Sequence, residues 1–315
     1  MNLSDRLNKQ GGLNISHSNG ETPCFGKIWF VDGTNGSATG DGDNPSEALS
    51  TVALALTAWA AGTSSLGDII YVLPGNYAEA TTGTLLRVQL IGATCGGTPE
   101  VVSLRPTTGS GFAGSMENSA IRNLDIRNSS STSPTAGAVV LTDMLSSIID
   151  NCAFSGANTN AASTGFVLGA AGASEFMLYS RLTNCTFGTW AARTNEFKQG
   201  IMIGTSTTNA GTRKIAGSVI ADNIIMAKDF GIHLYTASDT GMGAVIARNV
   251  IGSCQSELGA NEGLYKSGDK DLLIKVIDNR ISAVNNGIYN FADANTLWNC
   301  VSINGTPIMD LPDTD

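Results

Sequence analysis

Charge, aromatic residues and histidine are all scarce in this chain. Of its 315 residues only 14% are charged and 6% aromatic, and two are histidine. A helical globule carries more Leu, Glu and Lys than this, so the composition argues against an α-helical architecture. Lys and Arg number 18 against 27 Asp and Glu, giving a net charge of −9, and no basic cluster occurs. The electrostatic grip needed for sequence-independent nucleic-acid binding is therefore missing. Long apolar runs are lacking too. The best candidate, "ALSTVALALTAWAAG" at 48–62, is too short and too interrupted to cross a bilayer. The N-terminal stretch "MNLSDRLNKQGGLNISHSNGE" has no apolar signal core, so synthesis in the cytoplasm without membrane insertion is expected. The six cysteines form no CxxC pair and, with His17 and His233, no zinc-type spacing. Reduced structural thiols are expected, with no metal and no cofactor.

What the chain has is 37 glycines and many small polar residues. Gly and Asn tolerate positive φ, so this composition suits short strands joined by tight turns. Two kinds of short line then alternate. One centres on asparagine, as in "AIRNLDIRN", "IIDNCAFSG", "RLTNCTFGT" and "VIADNIIMA", with Asn123, Asn151, Asn184, Asn223, Asn249, Asn279 and Asn299 as its teeth. The other is apolar and opens on glycine, at 137, 165, 200, 231, 263 and 287. A repeat of roughly 30 residues made of β-branched lines is the mark of a solenoid. The seven asparagines are read as one structural column. Cys152, Cys185 and Cys300, each following an Asn, are read as occupying a buried apolar slot shared with Leu124, Ile224 and Val250.

Before the repeats, Ile28–Val31 reads as a strand. Asn44, Pro45 and Glu47 then give a helix-start signal for a helix over 44–61, with Leu49, Val52, Ala53, Leu56, Trp59 and Ala60 on one face. The segment "GDIIYVLPGNYAE" is a buried strand ending in a Pro-Gly-Asn turn. Three features together resemble the right-handed parallel β-helix proteins of the pectate-lyase-like superfamily: the opening strand, loop and capping helix; the Pro-Gly-x-Tyr ending of the first coil; and the Asn-bearing turns. The fold class expected is all-β, a right-handed parallel β-helix with an N-terminal capping helix and an extended arm. The expected divisions are a docking arm at 1–26, strand, loop and capping helix at 27–66, coils at 67–305 and a tail at 306–315.

Many relatives of that fold act on polysaccharide through clustered carboxylates. Here Asp125, Asp150, Asp222 and Asp278 sit beside the asparagines, the last three as at most a sparse outer row, and the other acids fall in loops. Glu175 and Glu196 are the fallback catalytic pair, against the plainer reading of solvated loop carboxylates. His233, in "GIHLY", reads as an outward strand residue. With no convincing catalytic set, the character of the chain resembles tailspike-like capsid decoration proteins of tailed bacteriophages. That resemblance implies a non-enzymatic virion protein on the capsid surface, a homotrimer held on the major capsid protein lattice by Leu3, Leu7, Leu13 and Ile15. The alternative is a tailspike or polysaccharide depolymerase, a lyase or glycoside hydrolase, that binds or cleaves host surface polysaccharide.

Overall fold

Short lines that recur once per coil can pair only with the same line of the next coil, in parallel. The computed structural model of the chain shows this arrangement. It describes residues 26–62, 67–93, 102–129, 137–156, 164–169, 174–188, 197–204, 212–235, 241–254, 262–267, 273–283, 288–289, 297–298 and 301–302. Every strand pair among them is parallel and joins successive coils, so the chain forms an all-β parallel solenoid.

Three faces build each coil. The narrow face stacks Ile28–Val31, Asp68–Val72, Val88–Gly92, Ala120–Arg122, Ile148–Asp150, Arg181–Thr183, Val219–Ala221, Gly241–Ala247 and Leu273–Ile277. Its inward residues form one register column: Trp29, Ile70, Leu90, Ile121, Ile149, Leu182, Ile220, Ile246 and Val276. All are buried, and each such side chain contributes about 1.5–3 kcal/mol of transfer free energy. A second face includes Val102–Leu104, Asp125–Asn128, Ala153–Gly156 and Thr186–Phe187. Here Phe154 and Phe187 stack inside with ring centroids 4.5 Å apart. The third includes Phe112–Glu117, Gly137–Leu145, Thr164–Leu168 and Phe197–Ile203.

The glycine line has a steric cause. A Cβ at Gly200 would lie 2.2 Å from Ile225 Cγ2 and 2.6 Å from the Gly231 carbonyl oxygen, so that coil has no room for a side chain at this position. Gly165, Gly200 and Gly231 share the position. Gly137 does not, because Gly137 pairs with Thr164 and Ala138 takes the corner instead.

The expected helix over 44–61 is two elements. Asn44 caps only a 3-10 turn, Pro45–Glu47, through its side chain and the Ser46 N–H. Helix α1 is Val52–Ala61. Thr51 Oγ1 accepts from the Leu54 N–H, and Glu79, from beyond the first coil, accepts from the Val52 and Ala53 N–H groups. The face it buries is Val52, Ala55, Leu56 and Trp59. Leu49 is buried as extended chain bridged to Val31, and Ala60 is exposed. The helix packs on Ile28–Val31, Asp68–Val72 and Thr81–Leu86, covering the open end of the coils. Tyr77 ends the first coil with its hydroxyl donating to the Leu73 carbonyl at 2.8 Å and accepting from the Gly33 N–H at 3.1 Å. Burial pushes its pKa up to about 12. Residues 1–25 and 303–315, with the arm residues Leu3, Leu7, Leu13 and Ile15, lie outside the described residues.

Candidate functional site on the narrow face

A three-residue strand needs a sharp turn at each end, and both corners here use the left-handed backbone region. Arg87, Asn118, Ser146 and Tyr179 take it before the narrow strands. Asn123, Asn151, Asn184, Asp222, Arg248 and Asp278 take it after them, and across both corners φ lies between 46° and 61°. Asn and Asp accept that conformation most readily among non-glycine residues.

This geometry corrects the single asparagine column. Asn123, Asn151 and Asn184 are left-handed corner residues that face out. Asn223, Asn249 and Asn279 stand one position later, facing in and buried, behind Asp222, Arg248 and Asp278. The inner slot therefore reads Leu124, Cys152, Cys185, Asn223, Asn249, Asn279, not Cys with Ile224 and Val250. Its three amides form a ladder. Asn249 Oδ1 accepts from the backbone N–H and Nδ2 of Asn223, and Asn279 Oδ1 accepts likewise from Asn249. Asn223 Oδ1 accepts from the Cys185 N–H at 2.9 Å. Cys152 and Cys185 are buried free thiols, as expected. Burial first, then the Cys152 thiol beside it, pushes Cys185 well above the ordinary thiol range. Cys300 and Asn299 lie outside the described residues.

A serine ladder at the opposite corner had no counterpart in the sequence reading. Ser147 Oγ accepts from the Ser119 N–H, Ser180 Oγ from the Ser147 N–H and Ser218 Oγ from the Ser180 N–H, at 3.1–3.2 Å. Its signal was legible: a serine stands just before each narrow strand at 119, 147, 180 and 218.

Outside, one register column of the narrow face is mixed along the coils: Ile69, Gln89, Ala120, Ile148, Arg181, Val219, Val245 and Lys275, with Ile69 buried and Lys275 exposed. The adjoining column carries a polar strip. Arg122, Asp150 and Thr183 occupy one outward register column, and Asn123, Asn151 and Asn184 the adjoining corner. Asn151 Nδ2 donates to Asn123 Oδ1 at 2.8 Å. Asp150 Oδ1 accepts from Thr183 Oγ1 at 2.7 Å and from Asn184 Nδ2 at 2.8 Å. The Arg122 Nε is buried with no hydrogen-bond partner in the structure. Arg181 and Asn184 are exposed. Further along the corner, Arg248 forks onto both Asp222 oxygens at 2.6 and 2.7 Å, holding the Asp222 carboxyl below its ordinary range.

Hydrogen-bonding groups of both polarities therefore repeat along the strip at the coil spacing of about 4.8 Å. They suit a polyhydroxylated chain lying along the solenoid axis. Hydrolysis needs two facing carboxyls, whereas the register neighbours of Asp150 are Arg122 and Thr183. Among the described residues no group of three or more His, Cys, Asp and Glu is placed to hold a metal ion.

The other candidates are scattered. Asp125 is buried on the second face, paired with Arg105 at 2.9 Å and bonded to Ser103 Oγ. Glu175 pairs with Arg213 in backbone register on Ser174–Leu178, its side chain lying outside the described residues, as does Glu196 altogether. His233 is outward by register yet buried, its ring 4.5 Å from that of Phe230. Desolvation lowers its pKa to about 3.

Solved structures supply the comparison. Pectate lyase Pel9A superposes with a TM-score of 0.56 at 14% identity, over 84% of this chain. The chain has the pectate-lyase-like right-handed parallel β-helix fold. A rhamnogalacturonan lyase superposes at 0.52 with 13% identity, over 85% of this chain and 71% of its own. The β-helix here spans 65% of the length of Pel9A. No protein-family model matches the chain, and no curated protein matches it in sequence.

Proposed function

We propose that the protein is a carbohydrate-binding β-helix that holds a glycan along the narrow-face strip from Arg122 to Asn184. The observation that carries this reading is the strip itself, an amide, carboxylate and guanidinium row held in one outward register column and its adjoining corner. Asp150 Oδ1 is already bonded to Thr183 and Asn184, so its second oxygen can accept from a sugar hydroxyl. The half-buried Arg122 guanidinium stands in the same outward column as Asp150, where its terminal nitrogens can donate to a sugar oxygen or carboxylate. That the neighbours in fold are named for lyases acting on pectate and rhamnogalacturonan supports the class of ligand. The stacking of Asp150 between Arg122 and Thr183 favours binding over hydrolysis.

Titration calorimetry of the full chain against oligosaccharides of polygalacturonate, dextran and bacterial surface polysaccharide tests it. Binding to at least one of these, weakened tenfold or more by Asp150→Asn or Arg122→Gln, is the expected result. Silence across the panel, or affinity indifferent to both substitutions, overturns the reading.

A second proposal concerns how the scaffold is carried: as a homotrimer on a virion, attached to a capsid lattice through residues 1–26. Its support is the resemblance of the chain's character to tailspike-like decoration proteins and the apolar-dotted stretch of Leu3, Leu7, Leu13 and Ile15. Deleting residues 1–26 should abolish particle attachment and leave a β-rich fold. Retained attachment would remove this proposal.

A further inference from the structure

Tyr179 stands at the corner that opens the Arg181–Thr183 strand, across that strand from the Asn184 corner of the polar strip, and is 72% exposed. It is one of two large hydrophobic side chains exposed among the described residues; the other, Ile224, is 47% exposed on a different face. Its backbone is left-handed, φ 52°, a conformation that an aromatic residue adopts only at a cost. The same corner in neighbouring coils is filled by Asn118, Ser146 and Gly217, which carry that backbone more cheaply.

The ring is also seated. A Cβ at Gly217 would come within 2.6 Å of its Cδ1 and 2.8 Å of its Cε1, so the ring lies against the next coil's corner in space that only glycine leaves. A strained aromatic and a glycine that makes room for it thus combine to present a ring to solvent. From that corner the chain runs directly through exposed Arg181, then Thr183 and Asn184. The outward side chains of this one coil form an aromatic, a cation and an amide in a row.

We infer that Tyr179 is a sugar-stacking residue, its ring receiving the apolar C–H face of a pyranose whose hydroxyls reach the strip. This inference rests on the carbohydrate-binding reading above and adds the residue that sets the position of the sugar. An amphipathic ring at an edge otherwise made of hydrogen-bonding groups matches the two-sided chemistry of a pyranose. A protein partner is the competing occupant, and the test separates them.

The full-length chain is titrated with the same oligosaccharides of polygalacturonate, dextran and bacterial surface polysaccharide, using Tyr179→Asn, Tyr179→Trp and Gly217→Ala, with a thermal melt of each. Tyr179→Asn relieves the corner, so it should melt higher than the parent yet bind about tenfold more weakly. Tyr179→Trp should bind within about threefold of the parent. Gly217→Ala keeps the tyrosine but displaces its ring, and should lose affinity as Tyr179→Asn does. A Tyr179→Asn protein that melts lower and binds as the parent does would show a ring that only packs, and would overturn the inference. So would Tyr179 variants that alter the oligomeric state by light scattering and leave glycan affinity intact. In both cases weakened binding by Asp150→Asn would leave the carbohydrate reading standing. If the parent chain binds none of the glycans, both fall.

Discussion

The solenoid turns the same corner with two chemistries. Through Asn184 the outer left-handed residue is an asparagine and the inner slot holds Leu or Cys. From Asp222 onward the outer residue is charged and the inner slot holds asparagine. Backbone geometry is common to both halves, since the left-handed φ values cover the same narrow range. The fold therefore demands the turn, and leaves open where its hydrogen bonds are made. In the first half they are made outside, in a solvated strip that a ligand can reach. In the second they are made inside, where low dielectric strengthens each bond and raises the cost of leaving one unmade.

Acid should separate the halves most. His233 lies in the second half with its pKa depressed to about 3 from an ordinary 6.5. The folded state prefers neutral imidazole, so its contribution is complete above pH 6.5. It is lost as the pH falls through the window down to about 3, because the unfolded chain takes up the proton first. At about 1.4 kcal/mol per pH unit this amounts to roughly 5 kcal/mol. Hydrogen exchange followed by mass spectrometry at pH 7 and pH 4 should show strands such as Ile224–Tyr235 opening before Ile148–Asp150. His233→Phe should remove most of the difference.

Breaking the inner ladder comes next. Asn249→Ala removes the acceptor of two Asn223 N–H groups and the donor to Asn279 Oδ1 and the Ile220 carbonyl. A loss of about 3 kcal/mol in denaturant unfolding is expected. The matching change in the first half, Asn151→Gly, keeps the left-handed corner, breaks one partly exposed amide bond and should cost about 1 kcal/mol or less. Equal costs would erase the distinction between the halves.

Smaller still is Arg248→Ala. Its fork onto Asp222 is short but more than half exposed, so no more than about 1 kcal/mol should be lost, and less at high salt. Last, Cys152 and Cys185 should resist thiol labelling in the folded chain and remain unbridged. Stacked residues of successive coils keep their Cβ atoms about 4.8 Å apart, beyond the usual 3.5–4.5 Å of a disulfide. Rapid modification under native conditions would refute the burial assigned to them.

Much of the fold was legible because a solenoid repeats its local chemistry. Ile121, Ile149, Leu182 and Ile220 recur at the coil period, and each predicts the next one's environment. The helix was legible as an apolar face but not at its start, since Asn44 and Pro45 make a good cap for a turn that Ala48 then leaves. Its actual cap is Thr51, and the first two helical N–H groups are taken by Glu79 from another part of the chain. The candidate site was less legible. Asn151 and Asn223 look alike in sequence, each in a β-branched line, and only register reveals that one faces out and the other in. Arg122 and Thr183 carried no motif at all and became neighbours of Asp150 through coil stacking. Tyr179 acquires its seat from Gly217, in the next coil.

By itself the sequence determined the period, the parallel pairing that a period of short lines enforces, and the residue types able to turn left-handed corners. Those are local properties, set by backbone sterics and by alternation along a strand. Tertiary structure alone decided which asparagines are buried, which polar groups adjoin on the narrow face and which aromatic is left facing water. Each depends on register between coils some 30 residues apart, and a shift of one residue exchanges inside for outside.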